Sequence, residues 1–184
     1  RDFGDHTEVG APPIKTDKGW VLIHSYIKNY LSKEKEFAIE AILLDKNDPT
    51  KILGRTSEPL LTSKEDYELN GHIPNVIFPS GALCQDDNVY IYYGGADTHC
   101  CVAKGTMSAL LSHLTTSKTP TFTTSEKIPN TCLRYINNPI ITPRQELEWE
   151  ARSTFNPAVI SLDGRIHLIY RAMSTDDNST FRYA

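Results

Sequence analysis

Apolar and polar residues alternate along short runs of this chain, and turns rich in Asp, Asn and Gly punctuate them. The strongest runs are Trp20-Val21-Leu22-Ile23-His24, Val89-Tyr90-Ile91-Tyr92-Tyr93 and Ile166-His167-Leu168-Ile169-Tyr170. β-Branched and aromatic residues dominate them, which suits a strand on a pleated, half-buried surface. A tight turn precedes each: Asp17-Lys18-Gly19, Asp86-Asp87-Asn88 and Asp163-Gly164-Arg165. Ahead of the turns stand Pro12-Pro13-Ile14-Lys15-Thr16, Ser80-Gly81-Ala82-Leu83-Cys84 and Asn156-Pro157-Ala158-Val159-Ile160. Strand, tight turn and strand predict three β-hairpins. Their second strands start at positions 20, 89 and 166, so the unit recurs after 69 and then 77 residues. Such recurrence predicts sheets repeated around an axis, as in a β-propeller. A two-sheet sandwich is the alternative; it fits the hairpins and leaves their repetition without a cause.

Phe37-Ala38-Ile39-Glu40-Ala41-Ile42-Leu43-Leu44-Asp45 predicts a further strand. Its alanines and Glu40 also suit a short helix, but the Asn47-Asp48-Pro49 turn that follows favours the strand. Helix is expected only near Met107 to Leu114, where Leu110, Leu111 and Leu114 share a face. Thr, Ser, Lys and Pro fill 115–124 and predict a linker, placed over 115–136 between segments 1–114 and 137–184. Asn138-Pro139-Ile140-Ile141-Thr142-Pro143 reads as an extended lead-in, because proline biases the preceding residue away from helix.

Composition narrows the function classes. The 184 residues carry a net charge of −4, which gives no electrostatic reason to expect nucleic acid or an anionic membrane as partner. No apolar run approaches the roughly 20 residues of a membrane helix. With no signal peptide evident and Arg1 at the start, a cytoplasmic location and a missing upstream segment are expected. Cys84, Cys100, Cys101 and Cys132 have neither zinc-ligand spacing nor a disulfide framework and read as small buried hydrophobes. Cys100 and Cys101 are adjacent, so in a strand they point to opposite faces.

One carboxylate stands out. The run from Val89 breaks at Gly94-Gly95 and delivers Asp97 where the strand opens into a loop. Glycines let the backbone turn and approach a ligand closely, and loops on a rigid scaffold carry function. A turn aspartate is the plain structural alternative.

The quoted residues resemble glycoside hydrolase family 130, the β-mannoside phosphorylases and β-mannosidases. The resemblance is carried by Gly10-Ala11-Pro12-Pro13-Ile14-Lys15-Thr16 with Gly19-Trp20, and by Leu43-Leu44-Asp45, Asp48-Pro49 and Gly54-Arg55. Pro74-Asn75-Val76-Ile77-Phe78-Pro79 and Tyr92-Tyr93-Gly94-Gly95-Ala96-Asp97 complete it. These motifs resemble the C-terminal part of the family's five-bladed β-propeller. Asn138 to Pro143, Trp149-Glu150, Phe155-Asn156-Pro157-Ala158-Val159 and Leu168-Ile169-Tyr170-Arg171-Ala172 resemble its N-terminal part. The resemblance therefore implies an all-β fold with about three blades, in inverted order. A tandem of two propellers, a circular permutation and a partial sequence each account for that order.

The resemblance also implies a site. It places Asp97, Asn156 and Arg171 around a sugar, with Lys15 reaching a hydroxyl or phosphate. Asp97 accepts hydrogen bonds, Asn156 donates and accepts, and Arg171 offers a planar fork of donors. The family's proton-donor Asp lies in a Glu-Asp-Pro-Arg motif that this chain lacks, so the catalytic acid is unassigned and the fragment is expected to be inactive alone. Ser25 occupies the position of a phosphate-binding histidine, with His24 on the opposite strand face. That favours hydrolysis of β-linked mannosides over phosphorolysis. A phosphorylase releasing mannose 1-phosphate, with inorganic phosphate as co-substrate, is the alternative, and a non-catalytic carbohydrate-binding module is the second. No cofactor and no metal are implied. Uncovered sheet edges in a partial propeller predict self-association.

Overall fold

The computed structural model describes residues 4–116 and 132–184. It is all-β in architecture: three antiparallel sheets with few short helices. The first sheet comprises β1 (His6–Val9), β2 (Ile14–Lys15), β3 (Trp20–Lys28), β4 (Glu36–Leu44), β5 (Ile52–Arg55) and β6 (Leu61–Thr62). β3 pairs with β1 and β2 on one side and β4 on the other, and β4 carries β5 and β6. After α1 (Asp66–Leu69), the second sheet is built from β7 (Ile77–Gln85), β8 (Asn88–Gly95), β9 (His99–Thr106) and β10 (Cys132–Arg134). Its order is β10-β9-β8-β7. The third sheet is the meander β11 (Ser153–Leu162), β12 (Arg165–Met173) and β13 (Ser179–Tyr183).

All three expected hairpins form, as β2–β3, β7–β8 and β11–β12. The stretch from Phe37 is strand, as its following turn predicts. The two-sheet alternative does not hold, because the described residues form three sheets. Helix α2 (Met107–Thr116) matches the expected position, while α1 and the 3-10 turn Glu148–Glu150 carry no apolar periodicity to betray them. The stretch read as a linker is structured at both ends. Thr115 and Thr116 continue α2, and Cys132–Arg134 form the edge strand β10; residues 117–131 lie outside the described residues.

The sheets stack face against face. Ile23, Ile39 and Leu43 of the first sheet meet Ile77, Ile91 and Tyr93 of the second in one core, which Leu110 and Leu114 of α2 complete. Fully burying each aliphatic side chain contributes about 1.5–3 kcal/mol. The opposite face of the second sheet receives β11 and β12. Adjacent cysteines divide between these layers as strand alternation requires: Cys101 joins the large core, and Cys100 packs with Tyr170 and Ala172. Close approach between the second and third sheets depends on Gly81. A Cβ there would stand 2.7 Å from Val159 Cγ1 and 2.8 Å from the Pro157 carbonyl.

Two buried carboxylates lock the loops that precede β7 and β11. Glu68 receives Arg134 Nε at 2.7 Å, Arg134 Nη2 at 2.8 Å and the Tyr93 hydroxyl at 2.8 Å. Glu150 is paired with Arg144 and accepts the Tyr170 hydroxyl at 2.9 Å. Tyr93 and Tyr170 occupy corresponding places in β8 and β12, so the repeat extends to its buried polar contacts.

Candidate functional site

Three loop or bulge residues share an uncommon backbone. Asn75, Asp97 and Asn156 have φ of 63°, 49° and 52°. Left-handed conformations outside glycine favour Asn and Asp and otherwise cost about 1–3 kcal/mol, and they concentrate at functional sites. Asn156 sits where β11 slips register between Phe155 and Ala158, and such bulges re-aim side chains. Asp97 follows Ala96, itself at φ 48°, in the turn between β8 and β9.

All three residues line one cavity of about 980 Å³. Glu8 of β1 adds a second carboxylate, and the β3–β4 connection contributes Lys33 and Lys35. Tyr30, Phe37 and Phe78 supply aromatic wall. Short bonds fix the loops. Thr98 accepts the Thr154 backbone N–H at 2.9 Å, and its hydroxyl accepts the His72 N–H at 2.7 Å. The Ala96 carbonyl accepts the Ile73 N–H at 3.1 Å, and the Val76 carbonyl accepts the Ala96 N–H at 2.8 Å.

Burial raises the Asp97 carboxyl above its ordinary range, opposed by the nearby charges of His72 and Arg171. Asn156 Oδ1 is buried and has no hydrogen-bond partner among the described residues. A Cβ on Gly94 would stand 3.2 Å from that oxygen, so glycine leaves it room. Buried polar atoms are normally paired, and this acceptor, enclosed beside Gly94, is an exception. Carboxylates and amides here can hold hydroxyls, aromatic rings can cover apolar faces, and two ammonium groups can hold an anion. Among the described residues, no three His, Cys, Asp or Glu side chains gather as a metal site. Among the described residues, no helix is long and apolar enough to cross a membrane.

The residues expected from the sequence divide sharply. Asp97 and Asn156 come together. Arg171 does not line the cavity: its guanidinium lies 4.8 Å from the Phe155 ring centroid and Nε donates to Ser179 Oγ at 3.0 Å. It reaches Asp97 only through its charge. Lys15 is exposed on the far end of the first sheet, with Nζ 5.6 Å from the Trp20 ring centroid. Ser25 is fully buried, and its hydroxyl has no hydrogen-bond partner among the described residues. It stands across the β1–β3 ladder from Glu8 and two residues from Ile27, on the sheet face that carries cavity residues, but does not itself line the cavity. His24 pairs across β3–β4 with Glu40 on the other face. Sequence reasoning missed Glu8, Lys33 and Lys35 because no motif marks them. Asn75 left a signal: like Asn156, it precedes the first strand of a repeated hairpin or lies at its start.

The sequence profile of glycoside hydrolase family 130, described as beta-1,4-mannooligosaccharide phosphorylase, matches residues 1–116. A 1,2-beta-oligomannan phosphorylase of Thermoanaerobacter sp. is 43% identical over 90 residues, 49% of this chain and 29% of that protein. A beta-1,2-mannobiose phosphorylase of the same organism is 42% identical over 95 residues, covering 52% and 30%. The solved beta-1,2-mannobiose phosphorylase from Listeria innocua, in complex with beta-1,2-mannobiose, superposes with a TM-score of 0.54 at 37% identity. That alignment covers 60% of this chain and 30% of the other. The chain thus spans about a third of the length of the relatives it matches.

Proposed function

Because the chain belongs to glycoside hydrolase family 130, we propose that it forms part of an enzyme that cleaves β-1,2-linked mannosides with phosphate as acceptor. The observation that carries this reading is the shared cavity of Asp97, Asn156, Lys33 and Lys35. Ser25 favoured water as the acceptor. Two findings reverse that preference: both Thermoanaerobacter relatives are named phosphorylases, and the cavity carries two lysines that the sequence did not nominate. Holding a phosphate dianion requires charge-assisted donors, and ammonium groups supply them without a histidine.

In this reading the sugar's hydroxyls donate to Asp97 and Glu8, and Asn156 lines the pocket beside them. Phosphate approaches the anomeric carbon opposite the leaving oxygen, held by Lys33 and Lys35. Protonation of that oxygen needs a general acid. The chain has no Glu-Asp-Pro-Arg segment, so it is assigned the sugar- and phosphate-holding part of the reaction.

The three sheets are read as consecutive blades of a propeller. The third resembles a first blade and lies against the second, which resembles a last one. First and last blades are neighbours in a closed ring, so the inverted order along the chain corresponds to adjacency in space.

Isothermal titration of the chain with β-1,2-mannobiose, and separately with inorganic phosphate, tests the reading. Mannobiose binding is expected to disappear in Asp97→Ala, and phosphate binding in the Lys33→Gln/Lys35→Gln double variant. Mannobiose binding without phosphate binding would move the assignment to hydrolysis or to a binding module.

A further inference from the structure

One wall of the site cavity is an irregular loop ahead of β7, from which Ile73, Pro74, Asn75 and Val76 all face the space. The loop lies against the Asp97 turn. His72 N–H donates to Thr98 Oγ1 at 2.7 Å, and Ile73 N–H to the Ala96 carbonyl at 3.1 Å. A Cβ on Gly71 would stand 2.5 Å from Thr98 Oγ1 and 2.6 Å from Ala96 Cβ, so only glycine permits this approach. Residues 71–75 are exposed, and exposed backbone bonds are the ones that open locally.

A side chain beside the third sheet reaches this loop. Arg152, immediately before β11, directs Nη2 to His72 Nδ1 at 3.2 Å and pairs through Nη1 with Asp177. Arginine only donates, so His72 Nδ1 accepts and the proton of the ring lies on Nε2. The planar fork therefore bridges two loops at once. Its anchor is fixed in turn. Between β12 and β13, Ser174 N–H donates to the Asn178 carbonyl at 3.0 Å and Asn178 N–H to Ser174 Oγ at 3.2 Å, which closes the turn that carries Asp177. Arg152 N–H donates to the Met173 carbonyl at 3.0 Å.

We infer that Arg152 is a positioning residue: anchored on Asp177, it clamps His72 and so holds the 72–75 wall of the cavity against the Asp97 turn. Neither Arg152 nor His72 lines the cavity, so the clamp acts on the site through the loop. The Arg152 and Asp177 side chains are 32% and 69% exposed, and an ion pair of this kind adds little to global stability. Its effect is local. The inference rests on the β-mannoside reading only for the ligand that reports on the wall.

The test measures amide hydrogen exchange at Ile73 and titrates β-1,2-mannobiose, in the unmodified chain and in Arg152→Met, His72→Leu and His72→Asn. Asn Oδ1 stands as many bonds from Cα as His Nδ1 and keeps an acceptor for Arg152; Leu does not. Arg152→Met and His72→Leu are each expected to speed exchange at Ile73 about tenfold, as loss of one hydrogen bond to a charged group would, and to weaken mannobiose binding. His72→Asn should retain both properties. Exchange at Ile91, buried in the core, should be unchanged in every variant, which separates a local clamp from general destabilisation. Unchanged exchange at Ile73 in Arg152→Met, faster exchange with unaltered mannobiose binding, or His72→Asn behaving like His72→Leu would each overturn the inference. If the exchange pattern is as expected but the unmodified chain binds no mannobiose, the clamp stands and the mannoside reading alone falls.

Discussion

Thr154 donates twice to the carbonyl of Thr98, from its backbone N–H at 2.9 Å and from its hydroxyl at 3.2 Å. Thr98 follows Asp97 by one residue and Thr154 precedes Asn156 by two, so this contact joins the two left-handed cavity residues across separate sheets. Thr154 is fully buried. Thr154→Val keeps the shape and the backbone bond but removes the hydroxyl. The expected loss is about 1 kcal/mol of stability, read as a lower urea midpoint at unchanged m. Weaker mannobiose binding should accompany it. Unchanged binding would show that Asp97 and Asn156 hold their positions without this tie.

Asp97 sets stability and binding against each other. Burial raises its carboxyl, so the folded state binds a proton more readily than the unfolded chain. Its contribution to stability is greatest below the ordinary aspartate range and falls as pH rises from there through the folded value. Asp97→Asn removes that penalty and suits the left-handed backbone. It is expected to raise the melting temperature at pH 7 more than at pH 3.5 while abolishing mannobiose binding. Thermal melts at the two pH values check this; a uniform decrease would count against a desolvated carboxylate.

The Glu68–Arg134 pair gives the opposite sign. Burial alone would raise the Glu68 carboxyl, but hydrogen bonds from Arg134 and from the Lys64 and Glu65 backbone hold it below the ordinary range. Its stabilisation is present above the ordinary glutamate value and is lost as pH falls through the lower folded value. Glu68 is fully buried and the Arg134 side chain nearly so. Arg134→Met strands a buried carboxylate, and about 3–5 kcal/mol of destabilisation is expected at pH 7. Chemical denaturation measures it, and the deficit should narrow in acid as Glu68 protonates.

The elements that local chemistry dictates were legible in the sequence. Asp17-Lys18-Gly19 and Asp163-Gly164-Arg165 announce their turns, and the alternating runs beside them can only be strands. Asp97 was legible because two glycines precede it. Contacts set by distance along the chain were not. Cys132–Arg134 is three residues long and becomes a strand only by pairing with β9, so a polar neighbourhood disguised it as linker. Arg134 meets Glu68 from 66 positions away, which no periodicity reveals. Lys33 and Lys35 lie in a connection without pattern, and only the fold brings them to the cavity that Asp97 lines. Lys15, which a motif named, pairs with Trp20 and lies outside this cavity.

The free face of the third sheet should drive self-association. Ile160, Leu162, Ile169, Phe181 and Tyr183 are 57%, 55%, 52%, 81% and 67% exposed. They share one face: Ile169 is opposite Ala158 on one side and Tyr183 on the other, and Ile160 and Leu162 follow Ala158 at two-residue steps. The other face of this sheet already packs on the second sheet. Arg165, His167 and Arg171 alternate with Ile169 along β12 on this same face, so it is amphipathic; five large exposed apolar side chains grouped on one face mark it as an interaction surface. A second copy can cover it by placing the same face against itself, which forms a closed two-fold contact. Light scattering behind size-exclusion chromatography is therefore expected to show a concentration-dependent dimer. Phe181→Glu with Ile169→Lys should return the chain to a monomer, because each charge would have to be desolvated in the contact. Circular dichroism should be unchanged, since both positions are exposed and point away from the core. A monodisperse monomer at high concentration in the unmodified chain would refute the prediction.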